Sequence, residues 1–121
     1  MILVDTSIWI AHLRQSDADL IELLNTGSVL AHPFVIGELA LGNLRQRDII
    51  LNALQSLPQA SVAADDEVLR FIGQHALSGL GIGYIDAHLL AATRLTAGAS
   101  LWTRDKRLDA AARMLSLQAE A

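Results

Sequence analysis

The sequence predicts an α/β fold in which a short-stranded, mainly parallel sheet lies between two layers of helices, a three-layer α/β/α sandwich. Short apolar runs alternate with longer segments of helical periodicity, a pattern typical of parallel sheets covered by helices. The run Ile2–Val4 is continuously apolar, as expected of a strand buried on both faces. The 121 residues contain no linker or repeat, which predicts one domain spanning residues 1–121.

Four short apolar segments are predicted as strands. They are Ile2–Val4, Val29–Ala31, Ala60–Ala63 and Ser100–Trp102. In open parallel sheets the crossovers are right-handed and ligands bind beyond the carboxyl ends of the strands. Acidic residues that directly follow a strand are therefore candidates for a functional site.

The segments between these strands have the periodicity and the end signals of helices. A helical turn is expected after Asp5, and Ser16 and Asp17 are candidate caps of a helix that ends near Gly27. Pro33 favours a helix start, where its missing N–H is harmless. Further helices are expected over about 33–44, 47–57, 65–79, 84–96 and 106–115.

The composition excludes several classes of protein. Hydrophobic residues make up 52% and charged residues 18%, which is unlike an intrinsically disordered chain. The absence of cysteine excludes disulfides and thiol nucleophiles. No apolar run approaches the roughly 20 residues of a membrane span, and the first residues are unlike a signal peptide. We therefore expect a cytoplasmic protein without a membrane partner.

Four carboxylates form the candidate site. Asp5 and Asp105 follow the first and last strands, and the carboxyl ends of neighbouring parallel strands meet at one edge. Glu38 and Asp86 lie on predicted helices, with apolar residues three and four positions away, so their carboxylates are expected on apolar faces. Structural alternatives exist: the strand-end acids could cap helices, Glu38 could pair with an arginine, and Asp86 could meet a helix dipole.

Such a cluster needs compensation by protons or cations. Two unit charges about 4 Å apart repel by about 4 kcal/mol at an effective dielectric near 20. Oxygen ligands without cysteine favour Mg²⁺ or Mn²⁺. Two divalent ions would neutralise four carboxylates and suit phosphodiester displacement, although the sequence does not distinguish one ion from two. Thr6, Ser7 and Thr103 are neighbouring hydroxyls that could orient carboxylates or water, or could simply cap helices.

Four motifs contain these acids. They are Val4-Asp5-Thr6-Ser7-x-Trp9, Ile36-Gly37-Glu38-Leu39-x-x-Gly42, Tyr84-Ile85-Asp86-x-x-Leu89-x-Ala91-Ala92 and Leu101-x-Thr103-x-Asp105-x-x-Leu108. In order and in flanking residues they resemble the four acidic motifs of the PIN-domain nucleases. With the short chain, they resemble the VapC toxins of bacterial toxin–antitoxin modules. The resemblance extends over residues 4–108, and none of the four acids departs from it.

The resemblance implies a Mg²⁺- or Mn²⁺-dependent endoribonuclease in which Asp5, Glu38, Asp86 and Asp105 are the metal-binding and catalytic residues. It also implies a homodimer and a cognate antitoxin whose C-terminal segment covers the site. A net charge of −4 argues against RNA binding through bulk positive charge.

Basic residues flank the last acid of the cluster. Arg104, Lys106 and Arg107 are the candidate contacts to RNA phosphates, with a solvated helix start as the alternative.

Two other classes of function remain as alternatives. A phosphoaspartate receiver would have an acidic neighbour beside Asp5, and a phosphatase of the haloacid dehalogenase type would have aspartate in place of Ser7. Lys106 also lies beyond an acid rather than at a strand end. A non-catalytic PIN-like binding module would be indicated by loss of one acid, and none is lost.

Overall fold

Three parallel strands form the sheet in a computed structural model of the chain, which describes residues 1–119. Strand β1 (Ile2–Val4) lies in the middle, between β2 (Val29–Leu30) and β3 (Ser100–Trp102). Leu3 and Val4 are both 0% exposed. Since successive strand residues point to opposite faces, both faces of β1 are covered. The predicted α/β class and the parallel sheet between layers are thus confirmed.

Seven helices are formed by the described residues. They are α1 (Thr6–Arg14), α2 (Ala18–Asn25), α3 (Pro33–Ala40), α4 (Arg47–Ser56), α5 (Asp65–Gln74), α6 (Tyr84–Leu95) and α7 (Lys106–Met114). Of the two candidate caps of α2, Asp17 is the one that accepts a backbone N–H, from Leu20. Helix α6 is buried along most of its length and packs against β3 and α5. None of the helices within residues 1–119 is long and apolar enough to cross a membrane.

The prediction of a strand over Ala60–Ala63 is wrong. The chain makes one parallel bridge, between Ala31 and Gln59, and then leaves the edge of the sheet. Ala60 and Ala63 are buried but Val62 is 52% exposed. Burial recurs here every three residues rather than every two, so the segment lacks the alternation of a strand.

Two helices end earlier than predicted. Helix α3 ends at Ala40, and Leu41 beyond it is 91% exposed. Helix α5 ends at Gln74, and Ala76 then has a φ of 52°, which cannot continue a right-handed helix. In both cases apolar residues after the helix continue the helical spacing in the sequence, so the predicted helix was too long.

Candidate active site

Asp5 is a buried carboxylate fixed at the carboxyl end of β1. Its backbone N–H donates to the Trp102 carbonyl at 3.0 Å, which prolongs the pairing of β1 with β3. Its side chain is the acceptor of two hydroxyl donors: Oδ2 accepts from Ser7 Oγ at 2.8 Å and from Thr103 Oγ1 at 2.7 Å. The residue is 6% exposed, and Oδ1 accepts no hydrogen bond from any residue in 1–119. One carboxylate oxygen is therefore held and the other is open to a ligand.

The two hydroxyls connect Asp5 to the loop after β3. Ser7 Oγ accepts the backbone N–H of Arg104 at 3.0 Å, and Thr103 Oγ1 accepts that of Asp105 at 3.0 Å. The two hydroxyl oxygens are 3.3 Å apart. Since each hydroxyl accepts a backbone N–H and donates to Asp5, the network fixes the carboxylate by groups from both ends of the chain.

Asp105 caps helix α7. Its Oδ1 accepts the backbone N–H groups of Arg107 at 2.9 Å and Leu108 at 3.0 Å. The capping alternative therefore describes Asp105, whereas Asp5 precedes α1 without making a side-chain cap bond. Capping uses one oxygen of Asp105 and leaves its Oδ2 without a hydrogen bond among the described residues.

Glu38 is exposed, which contradicts the expectation of a carboxylate on a buried apolar face. The buried side of α3 consists of Val35 and Leu39, while Leu41 is 91% exposed. Apolar neighbours at helical spacing therefore do not cover Glu38, because some of them face solvent. Glu38 is instead held by Thr6, whose Oγ1 donates to Oε1 at 2.8 Å.

Asp86 is half-buried in the first turn of α6, where Gly83 N–H donates to its Oδ2 at a long 3.4 Å. Burial is the main cause that raises the pKa of the Asp86 carboxyl above its usual value. The Gly83 N–H opposes this rise, and the negative charges of Asp5, Asp105 and Glu38 add to it. The four acids therefore share one electrostatic environment, although they come from four separate segments.

The donor set fits a hard divalent cation. Carboxylate and hydroxyl oxygens surround the site, and oxygen ligands suit Mg²⁺ and Mn²⁺. In the part of the chain that is described, no three acidic or histidine side chains are grouped closely enough to surround one ion. Mg²⁺ commonly binds through one or two carboxylates and keeps several waters, so a closed cage of protein ligands is not required.

The three basic residues beside Asp105 differ in their contacts. Arg104 Nη2 lies 3.6 Å from Asp17 Oδ2, an ion pair between an exposed guanidinium and the largely buried N-cap carboxylate of α2. The Arg107 guanidinium lies against Gly81, in the loop before α6. Lys106 has no ion pair among residues 1–119, and all three side chains are exposed.

A cluster of two buried histidines and two less buried aromatic rings was not predicted from the sequence. His32, Phe34, His88 and Tyr84 form a chain of edge-on ring contacts, with centroids 5.1, 4.7 and 4.6 Å apart. His32 and His88 are 0% and 1% exposed, whereas Tyr84 is 47% exposed. The spacing of Tyr84 and His88 indicates one pair in the sequence, but the contact of Phe34 with His88 requires the folded chain.

The cluster joins two helices that each contain one of the acids. His32 Nδ1 accepts the N–H of Phe34 and thereby caps α3, the helix of Glu38. His88 belongs to α6, the helix of Asp86. Burial and the proximity of His88 lower the pKa of His32 to about 4, so its ring is neutral near pH 7. The cluster thus contributes a packed contact between α3 and α6, and His88 Nε2 also lies 3.3 Å from Asp65 Oδ1.

Comparison with known proteins identifies relatives along nearly the whole chain. The family model described as PIN domain matches residues 2–114. Two proteins named Ribonuclease VapC32, from Mycobacterium tuberculosis strains CDC 1551 / Oshkosh and ATCC 25618 / H37Rv, are each 56% identical over 111 residues. These alignments cover 92% of this chain and 90% of each relative.

Proposed function

Because the chain belongs to the PIN-domain family, we propose that it is a metal-dependent endoribonuclease and the toxin of a type II toxin–antitoxin system. The name of its 56%-identical relatives, Ribonuclease VapC32, supports RNA as the substrate. The main structural support is that Asp5, Glu38 and Asp105 all raise the pKa of Asp86, as expected of a single acidic site. A receiver or phosphatase role has no comparable support.

Asp5, Glu38, Asp86 and Asp105 are the proposed metal-binding and catalytic residues. A Mg²⁺ or Mn²⁺ ion held by these residues would supply Lewis-acid activation of water and would stabilise the negative charge that develops on the phosphoryl oxygens.

Ser7 and Thr103 hold Oδ2 of Asp5, which leaves Oδ1 of Asp5 available to a cation. Asp105 accepts the N-terminal N–H groups of α7 with Oδ1, so its Oδ2 remains available to a cation. Thr6 orients Glu38 in the same way, through a single hydroxyl.

The proposal includes Arg104, Lys106 and Arg107 as contacts to the RNA backbone. The acids repel RNA, and the chain as a whole has a net charge of −4. Local positive charge beside Asp105 would position the phosphates, although such contacts do not read the base sequence.

A homodimer and a cognate antitoxin protein are also part of the proposal, with residues 1–121 acting as one domain in the cytoplasm. The 52% hydrophobic content of a short chain supports a protein partner. A monodisperse monomer at micromolar concentration, with no small protein recovered on co-purification, would contradict this part.

The direct test is cleavage of total cellular RNA by the purified protein, followed by mapping of the new ends. We expect cleavage with Mg²⁺ or Mn²⁺ and none after chelation. The matched control is Asp5→Asn, which keeps the shape of the side chain and removes its charge. Metal-independent cleavage would contradict the mechanism, and RNA binding without cleavage at any metal concentration would favour a non-catalytic binding module.

A further inference from the structure

Arg107 lies across the glycine turn that precedes α6. A Cβ placed on Gly81 would lie 2.8 Å from Nη1 of Arg107 and 2.9 Å from its Cδ, closer than real Cβ atoms approach other groups. Gly81 also has a φ of 78°, a conformation that glycine adopts readily and other residues avoid. Only glycine therefore leaves room for the guanidinium in this position.

This contact places Arg107 beside two of the four acids. The backbone N–H of Arg107 donates to Oδ1 of Asp105. Two residues after Gly81, Gly83 donates its N–H to Oδ2 of Asp86. The seat of the guanidinium is thus formed by the start of α7 and by the loop that leads to Asp86, at the rim of the acid cluster.

The charge of Arg107 is not neutralised by the protein. Among residues 1–119, no carboxylate lies within ion-pair distance of its guanidinium. Arg104, by contrast, is paired with Asp17. The side chain of Arg107 lies against the Gly81 backbone and is exposed, so its N–H donors remain available to a ligand.

We propose that Gly81 and Arg107 form a phosphate-positioning element: Gly81 seats the guanidinium of Arg107, which contacts a backbone phosphate of the RNA next to the acid cluster. This inference rests on the proposed ribonuclease function. A guanidinium presents a planar fork of donors that matches two phosphate oxygens. Fixing that fork before binding reduces the side-chain entropy lost when RNA binds. The planar guanidinium and its contact with Gly81 distinguish Arg107 from Lys106, whose ammonium is a point charge on a flexible side chain.

A purely structural role for Arg107 makes different predictions. If Arg107 only joined α7 to the glycine turn, its removal would lower the melting temperature and leave the salt dependence of RNA binding unchanged. A phosphate contact instead releases counterions, so its loss makes the negative slope of log K against log salt shallower by about 0.7 for single strands. The salt slope therefore separates the two roles.

The chain offers a matched control for the contact between Gly81 and Arg107. Gly79 lies in the same turn with a φ of 80°, but a Cβ there would meet nothing within 4 Å. Gly79→Ala and Gly81→Ala thus impose similar backbone strain, and only Gly81→Ala displaces Arg107. Each is made alone and together with Arg107→Ala, in an Asp5→Asn protein that binds RNA without cutting it. Exposed Arg70→Ala on α5 controls for loss of one positive charge.

We expect Gly81→Ala and Arg107→Ala each to weaken RNA binding by about tenfold, the scale of one hydrogen-bonded charged contact. Once Arg107 is alanine, Gly81→Ala should weaken binding no more than Gly79→Ala does. Arg107→Lys should keep the salt slope but lose affinity. In proteins with Asp5 intact, Gly81→Ala should raise KM more than it lowers kcat.

Equal losses for Gly79→Ala and Gly81→Ala would overturn the seat, and an unchanged salt slope in Arg107→Ala would overturn the phosphate contact. If Gly81→Ala does not fold, Arg107→Ala and Arg107→Lys still decide the second point. Either failure is distinguishable from failure of the proposed function, because Mg²⁺-dependent cleavage by the unaltered protein is measured separately.

Discussion

The acid cluster has two halves that are restrained very differently. Asp5 and Asp105, at the ends of β1 and β3, accept two hydrogen bonds each, at 2.7 to 3.0 Å. Glu38 and Asp86, on α3 and α6, accept one each, at 2.8 and 3.4 Å. The strand half is preorganised by the sheet, whereas the position of the helix half depends on how two helices pack.

The difference shows where the protein sets the geometry of its site. The register of β1 with β3 is fixed by backbone hydrogen bonds, so the strand-end acids are fixed with it. The helices are joined to each other through the contact of Phe34 with His88, which has no hydrogen bond across it. We therefore expect substitutions around the strand half to have the larger effects, and adjustment on metal binding to occur in the helix half.

Asp5→Asn should have the largest effect on activity. It changes the most buried of the four acids and removes the charge of the carboxylate whose Oδ2 accepts from Ser7 and Thr103. Loss of a partner of a metal ligand already costs about 10–100-fold, so loss of the ligand itself should reduce cleavage by at least about 100-fold. Thermal stability in metal-free buffer should be unchanged or higher, because one repulsive charge is gone. An unfolded variant would make Asp5 a structural group instead.

Metal should raise the melting temperature in a concentration-dependent way. A ligand that binds only the folded state adds RT ln(1 + [L]/Kd), about 2.7 kcal/mol at 100 times Kd. The double variant Asp5→Asn, Asp86→Asn takes one acid from each half and should lose most of this gain. A melting shift that persists in the double variant would place the metal elsewhere on the protein.

Thr103→Val and Thr6→Val compare the two halves directly. Each substitution nearly preserves the volume of the side chain but removes one hydroxyl donor. The donor is lost from Asp5 in the first variant and from Glu38 in the second. Thr103 is buried and also accepts the N–H of Asp105, so its loss should weaken metal affinity by about 10–100-fold. The exposed Glu38 can turn to water, and Thr6→Val should have the smaller effect. Equal titration curves for both variants would remove the distinction between the halves.

The strand half was predictable from the sequence and the helix half only in part. A strand followed by an acid, repeated at both ends of the chain, was enough to predict that Asp5 and Asp105 lie at one edge of a parallel sheet. The burial of Glu38 was predicted wrongly, because apolar neighbours indicate a face of α3 without showing whether another element covers it. Leu41 belongs to that apparent face and is exposed.

Contacts between distant segments set the rest of the site. The fit of Arg107 on Gly81 brings together a helix and a turn that are separated in the sequence by α6 and β3. Nothing in the local pattern of the glycine turn indicates it, since steric exclusion depends on which side chain arrives from elsewhere. The contact of Phe34 with His88 likewise depends on the folded chain. The strand predicted over Ala60–Ala63 does not form for a related reason, because the chain leaves the edge of the sheet after one bridge.

The smallest expected effect is a pH dependence from Asp86. Its pKa is raised above the usual 3.8, so the folded protein holds this proton more tightly than the unfolded chain does. The resulting stability is fully present below the unfolded pKa and is lost as pH rises through the raised folded pKa. In chelator, Asp86→Asn should therefore gain stability relative to the unaltered protein as pH rises across this range, by a modest amount because the side chain is half-exposed.

His32 titrates in the opposite sense, which dictates the form of the experiment. Its pKa falls from 6.5 to about 4 on folding, so its contribution is present above pH 6.5 and is lost as pH falls towards 4. Since both proteins contain His32, the difference between their denaturant midpoints at each pH cancels it and isolates Asp86. With saturating Mg²⁺ the unaltered protein should regain the advantage at neutral pH, because the ionised carboxylate then has a cation. A difference that is flat with pH in chelator would contradict the raised pKa of Asp86.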